Sequence, residues 1–337
     1  MKNIIIRSRR NVFREETKLL VEKYGFTDIN NGERSKGIKS PKEMALFFLE
    51  DCWFVLKNRS RLNQAHTIIT ISFLALPIKL LIKLRIIKCE QLLWFGFFIH
   101  SEKAFRIFRV LLKLLSIKNE KIILNSAYEI PLYADKLGLA RHKLTYIPLG
   151  DWKQVDLYDE KYEPGVDEPY YFAGGYTNRN YPGLIEAFRQ LPYKLIIVGS
   201  HLNKELNSPS ELPDNIIVKK DIPKEEFESL LAKSKACILP LKSDTGASGH
   251  MVLLGYMRNK KAIIASDMEA MREYVTHEAS ALLFKDFQTE LPNLIRAIEE
   301  KKHDLKQLGE NAYQQYQDNF TYPALSARLI EILKEDS

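Results

Sequence analysis

Short apolar runs of Ile, Val and Leu recur along this chain, and between them the apolar positions return every three to four residues rather than every two. Runs of this kind read as strands buried on both faces, and such strands form parallel sheets covered by helices. In the first half the pattern predicts strands at 3–7, 67–72, 92–99, 121–125 and 144–147, with helices at 13–24, 41–56, 74–85, 103–115 and 130–137. Residues 151–169 have no apolar period; seven acids, two lysines, Pro164, Gly165 and Pro169 mark them as a linker. The alternation then restarts, with strands at 170–173, 194–198, 216–218, 236–239, 262–265 and 281–284. Helices follow at 181–190, 225–233, 249–258, 268–275, 290–299, 304–318 and 322–334. The expected architecture is α/β, two Rossmann-like doubly wound domains at 1–150 and 170–320, with a last helix at 321–337 crossing back to the first.

Composition agrees with two ordinary cores: 337 residues, of which 45% are hydrophobic. Cys52, Cys89 and Cys237 are odd in number and far apart, which excludes a disulfide scaffold and points to a reducing compartment. The first apolar run is far too short for a signal peptide, and no charge-free stretch approaches the roughly 20 residues of a membrane span.

Charge changes the picture more. The formal charge of +7 divides into +14 for residues 1–150 (27 basic, 13 acidic) and −7 for the remainder (23 basic, 30 acidic). A basic half fused to an acidic one is expected to face a polyanion. Its cations ride on helical patterns, with Lys79, Lys83 and Arg85 on one and Lys103, Arg106, Arg109 and Lys113 on another, interleaved with Leu, Ile and Phe. Basic amphipathic helices suit an anionic bilayer surface, so these seven residues are expected to face a membrane; the plain alternative is a solvated face of a packing helix. Nucleic acid is not expected as a partner, because no RNA-binding motif or exposed aromatic strand accompanies the cations.

Ligands of doubly wound sheets bind beyond the carboxyl ends of strands, and three places there carry chemistry. After the strand at 170–173, Gly174 and Gly175 let a ligand approach the backbone, and Arg179 precedes the next helix. An arginine opposes the helix dipole unless an anion such as a diphosphate sits beside it; otherwise the segment is an ordinary turn. After the strand at 236–239, small residues lead into a helix whose first amides, near Ser248, Gly249, His250, Met251 and Val252, can hold a phosphate. Ser248 is equally suited to an ordinary N-cap. His100, at the end of the apolar run 92–99, is the candidate catalytic residue, a general base or a sugar-hydroxyl ligand if it is not simply structural. No P-loop, G-x-G-x-x-G, G-x-S-x-G, H-E-x-x-H or D-x-D motif is present, and no metal site is expected.

Residues 170–335 resemble the nucleotide-sugar-binding domain of GT-B glycosyltransferases, in particular glycosyltransferase family 4. The likeness runs through Phe172-Ala173-Gly174-Gly175, the strand at 194–199, the stretch 253–267, Met271-Arg272-Glu273-Tyr274-Val275 and Leu308-Gly309-Glu310-Asn311-Ala312. Asn125-Ser126-Ala127-Tyr128-Glu129 and Tyr146-Ile147-Pro148-Leu149-Gly150 look like the family's last strands before the interdomain crossing. The family usually carries two glutamates eight positions apart, the second on the ribose; Ala247 and Gly255 stand there in this chain. Gly175 occupies the place of the family's arginine, and Arg7-Ser8-Arg9-Arg10-Asn11 that of its first glycine loop.

The resemblance implies a glycosyltransferase of GT-B architecture that moves a hexosyl group from a nucleoside-diphosphate sugar, UDP-sugar before others, to a lipid-linked or cell-envelope saccharide. It implies no cofactor beyond that co-substrate and no metal, and the basic half implies a peripheral position on the cytoplasmic face of the cell membrane. Two alternatives stay open: a non-catalytic GT-B protein that partners an active transferase, and a nucleotide-sugar epimerase of the same fold.

Overall fold

The computed structural model describes residues 2–7, 14–31, 41–99, 102–150, 168–206, 212–243 and 248–335. Two units are present, Met1–Pro148 with Leu325–Ser337, and Leu149–Ala324. The apolar runs of the first unit become β1 (Lys2–Arg7), β2 (Thr27–Asn30), β3 (Ala65–Ile71), β4 (Gln91–Phe95), β5 (Glu120–Leu124) and β6 (Leu144–Tyr146). Its helices are α1 (Arg14–Tyr24), α2 (Pro41–Lys57), α3 (Arg59–Leu62), α4 (Ala75–Lys83), α5 (Glu102–Leu114) and α6 (Glu129–Leu137).

All six strands are parallel in the order β2-β1-β3-β4-β5-β6, with Ile5 opposite Ile69 and Ile69 opposite Leu93. Alternate residues therefore serve opposite faces. Ile5, Ile69, Leu93 and Ile123 share a cluster with Leu20 of α1 and with Leu329, Ile332 and Leu333 near the C-terminus, while Ile4, Ile6, Ile68 and Leu92 meet Phe54, Val55, Ile78 and Leu81 on the other side. Each such fully buried aliphatic side chain contributes roughly 1.5–3 kcal/mol.

The second unit repeats the plan with β7 (Tyr170–Gly174), β8 (Lys194–Gly199), β9 (Ile216–Lys220), β10 (Ala236–Leu239), β11 (Ile263–Ser266) and β12 (Leu282–Phe284). Between and after them lie α7 (Tyr181–Arg189), α8 (Lys224–Lys233), α9 (His250–Arg258), α10 (Glu269–Arg272), α11 (Glu290–Glu299) and α12 (Leu305–Asn319), and α13 (Tyr322–Glu335) follows, belonging from Leu325 on to the first unit. The parallel order β12-β11-β10-β7-β8-β9 places β7 and β10 side by side, with Cys237 opposite Phe172 and Ile238 opposite Ala173. Phe172, Cys237 and Ile263 pack on α8, α9 and α12; Tyr171, Ile238 and Ile264 pack on α7 and α11.

Five local expectations change. The strand expected over 92–99 stops at Phe95, because Gly96 turns the backbone to φ +67°. β2 and the short α3 are additions, and only Glu269–Arg272 of the helix expected at 268–275 is helical. The largest correction is Lys79: it does not face outward but is fully buried on α4, with Nζ 2.7 Å from Glu120 Oε2. The helical period places Lys79 and Lys83 on neighbouring positions, and a carboxylate from β5 draws only the first inward. Lys83, Arg85, Lys103, Arg106, Arg109 and Lys113 are all exposed. No described helix is long and apolar enough to cross a membrane.

Candidate functional site

Because β7 and β10 are adjacent and parallel, the loops that follow them leave the same edge of the sheet. Both loops use backbone conformations that ordinary side chains avoid: Gly175 has φ +103°, Asn178 +56° and Gly249 +88°. Asn178 ties them together, donating from Nδ2 to Ser243 O at 2.7 Å and to Ser248 Oγ at 2.8 Å.

Arg179 lies between the loops. Its side chain turns back under them, donating from Nε to Gly174 O at 3.0 Å and from Nη1 to Thr177 O at 2.6 Å. The two glycines make room for it, since a Cβ on Gly175 would stand 2.5 Å from Arg179 Nη2 and one on Gly249 3.3 Å from Nη1. The residue is only 2% exposed, and among the described residues no carboxylate pairs with it. Burial lowers its pKa, yet a guanidinium stays charged at any ordinary pH. The Tyr181 hydroxyl donates to Gly175 O, and the Tyr256 hydroxyl accepts from Gly174 N at 3.0 Å, fixing the glycine backbone from below. Burial raises the pKa of both tyrosines, so they remain neutral hydrogen-bonding groups.

α9 begins in the same place. Its N-cap is Gly249, which offers no side-chain acceptor; the Val252 amide is not available to a ligand, since it donates to Gly249 O at 3.1 Å, which leaves the Met251 end of the turn as the part of the helix start nearest the loops. Ser248 is thus not the cap; its hydroxyl is engaged by Asn178. His250 faces the core, with Nε2 3.2 Å from Ala270 O and its ring 4.4 Å from that of Tyr274, so it contributes backbone and not imidazole to the loop. Met251 and Val252 are partly buried in the first turn, Val252 against the core. A buried cation, a helix N-terminus and two glycine turns converge here, chemistry that would suit a phosphate group.

The structure thus brings together Gly174, Gly175, Arg179, Ser248 and Gly249 and the start of α9. Sequence reasoning missed Asn178, Tyr181 and Tyr256; an Asn just past a Gly-Gly strand end, where a left-handed residue is wanted, was the available signal for the first. His100 and Ala247 lie outside the described residues, as does most of the linker, 151–167. Next to His100, Tyr133 Oη pins Ile99, accepting from its amide at 3.2 Å and donating to its carbonyl at 3.3 Å. Gly255 is in the middle of α9, where, among the described residues, a Cβ would meet only Leu231 Cδ1 at 3.9 Å.

Residues 168–315 match the family model described as "Glycosyl transferases group 1". No curated protein sequence matches the chain. Among solved structures, it is similar to a glycosyltransferase from Rickettsia africae (TM-score 0.67, 16% identity, covering 99% of this chain and 98% of that one). It is similar also to Anabaena HepE in complex with UDP (0.69, 16%, 99% and 100%) and to the lipopolysaccharide outer core galactosyltransferase WaaB (0.68, 12%, 100% of each). At these identities the structures show the fold, which is GT-B, and the family match covers the unit that holds the site just described.

Proposed function

We propose that this GT-B chain, group 1-like over residues 168–315, is a nucleotide-sugar glycosyltransferase whose donor diphosphate is held between the β7 and β10 loops. The observation that carries the reading is Arg179, a charge buried with no carboxylate beside it among the described residues, beneath two glycine turns and a helix N-terminus. An unpaired buried cation is unfavourable, and a diphosphate is the partner that these amides and this guanidinium would share. In a transfer reaction the same groups stabilise charge growing on the leaving diphosphate, without a metal being needed. HepE, which binds UDP in its crystal, supports a uridine donor.

The acceptor in this reading is a lipid-linked or cell-envelope saccharide, presented at the cytoplasmic face of the cell membrane, with a hexosyl group transferred. The exposed cations of α5 and of the turn after α4 support it. His100 acts on the sugar side, as a general base if the enzyme inverts or as a hydroxyl ligand if it retains. Gly255 and Ala247 favour one competing reading, a donor-binding protein without transfer activity, because neither offers a carboxylate for the ribose.

A thermal-shift screen with UDP, GDP, ADP, CMP and their sugars tests the donor site, since a ligand that binds only the folded state raises its melting temperature. UDP and a UDP-sugar are expected to give the largest shift. No shift with any nucleotide overturns the donor reading, and a shift without turnover of any nucleotide sugar favours the non-catalytic one.

A further inference from the structure

One surface pattern occurs twice in the N-terminal unit. α2 carries Lys42, Leu46, Leu49 and Trp53, and α5 carries Lys103, Ile107, Val110 and Leu114; each set is a lysine followed by apolar residues at offsets of four, seven and eleven. At 3.6 residues per turn these offsets trace a single stripe. Both stripes face solvent, with Leu46, Leu49 and Trp53 54, 64 and 70% exposed and Ile107, Val110 and Leu114 49, 59 and 64% exposed. Phe54 and Val55 of α2, and Phe105 and Leu112 of α5, are buried. Each helix is therefore apolar towards the core and apolar again outward. Single exposed aliphatics are ordinary on a protein surface, but six in one repeated spacing are not. The helices also meet the same core, since Phe48 of α2 packs on the cluster that holds Phe105 and Leu112.

The charges beside the stripes indicate what covers them. α5 adds Arg106, Arg109 and Lys113, all exposed, while its one acid, Glu102, is bound to Lys136. On α2, Lys57 closes the stripe a turn beyond Trp53, with Glu43 and Glu50 on one flank. Long basic side chains at the ends of an apolar stripe can reach lipid phosphates while their stems stay in apolar surroundings, and an indole suits the same boundary. A helix too short to span can still lie in that plane.

We propose that α2 and α5 together form an in-plane anchor on an anionic bilayer, with Leu46, Leu49, Trp53, Ile107, Val110 and Leu114 entering the boundary between headgroups and acyl chains. The inference rests on the membrane reading above and extends it to α2, an element whose cations alone would not have drawn attention.

The full chain is mixed with equimolar phosphatidylcholine and phosphatidylglycerol vesicles at low salt, and bound protein is measured by flotation. Brominated acyl chains then report on the indole. The expected result is flotation, with tryptophan fluorescence quenched by bromolipid in the wild type and most of that quenching gone in Trp53→Phe. Leu49→Ser with Trp53→Ser should weaken vesicle partition about tenfold, as expected for two apolar side chains withdrawn from the interface. Both positions are exposed, and an unchanged far-UV spectrum and UDP thermal shift confirm that the variant is folded. Flotation without Trp53 quenching overturns the α2 anchor and leaves the membrane reading standing. Absence of flotation overturns both, as does a Trp53-dependent dimer that ignores vesicles.

Discussion

Two buried cations, one in each unit, are held in opposite ways. Lys79 is fully buried and meets Glu120, which also receives Lys143 at 3.0 Å; Lys143 in turn donates to Ser116 Oγ and Ile117 O. Arg179 is buried to the same degree, but its described partners are carbonyl oxygens. Burial lowers the pKa of each, and for Lys79 the nearby Glu120 carboxylate works against that fall. The fold itself supplies the counter-charge for the lysine, which makes that network an internal brace. For the arginine, in the reading proposed here, the counter-charge arrives with the donor.

Stability is where the first network should reveal itself. Replacing Glu120 by Ala leaves Lys79 buried without its carboxylate and is expected to lower unfolding free energy by about 3–5 kcal/mol in urea titrations. UDP affinity of the folded protein should not change. The double variant Lys79→Met with Glu120→Leu should recover much of the loss, because an apolar pair has no charge to desolvate. A Glu120→Ala protein as stable as wild type would show that the buried pair braces nothing.

Arg179→Met should split the other way. The unfolding free energy should fall by less than in Glu120→Ala, since a buried charge with no carboxylate among the described residues disappears, while Gly174 O and Thr177 O lose their donor. UDP affinity by calorimetry should drop by more than about 100-fold, the loss of two charge-assisted hydrogen bonds, each worth about 1.5–3 kcal/mol. If this variant loses stability as Glu120→Ala does and binds UDP unchanged, the contrast between the two cations collapses.

How far the sequence foretold this contrast depends on the range of the contact. The strand ends and small residues of the 172–183 and 243–254 loops are local signals, and both loops emerge where the alternation places them. The direction of Arg179 is not local: it depends on Gly249, seventy residues on, leaving space for a guanidinium. Lys79 was misplaced for the same reason, since Glu120 reaches it from another strand and helical spacing carries no record of that. β2 escaped because Thr27, Asp28 and Asn30 surround a single buried aliphatic, Ile29, in an edge strand held mainly by its ladder to β1. The doubly wound plan survived these errors because it rests on many apolar runs and not on any one of them.

An ion pair at the surface calibrates the two buried cations. Arg272 grips Asp267 in a fork, Nε to Oδ1 at 2.6 Å and Nη2 to Oδ2 at 2.7 Å, and this hydrogen bonding holds the carboxyl below its usual pKa. A carboxylate with a depressed folded pKa adds stability above its unfolded pKa, near 3.9, and that contribution is lost as the pH falls through the folded value. Arg272→Met should therefore be less stable than wild type at neutral pH, by less than Glu120→Ala, with the two unfolding curves converging in acid. A constant difference across the pH range would assign the effect to packing of the arginine stem.

The smallest effect tests why Gly255 is a glycine. In the middle of a helix, glycine is roughly 0.5–1 kcal/mol less favourable than alanine, so a glycine kept there for packing should face backbone or a crowded side chain. Among the described residues, the only neighbour of a would-be Cβ at Gly255 is Leu231 Cδ1 at 3.9 Å, an ordinary contact. Gly255→Ala should therefore stabilise the chain by about 0.5 kcal/mol in thermal or urea unfolding, with UDP affinity unchanged. Destabilisation would mean that the α8–α9 packing needs the gap, and lost UDP affinity would mean that the backbone of α9 at Gly255 lies against the nucleotide. Either result would move a part of the donor site from the loops, where Arg179 places it, into the body of the helix.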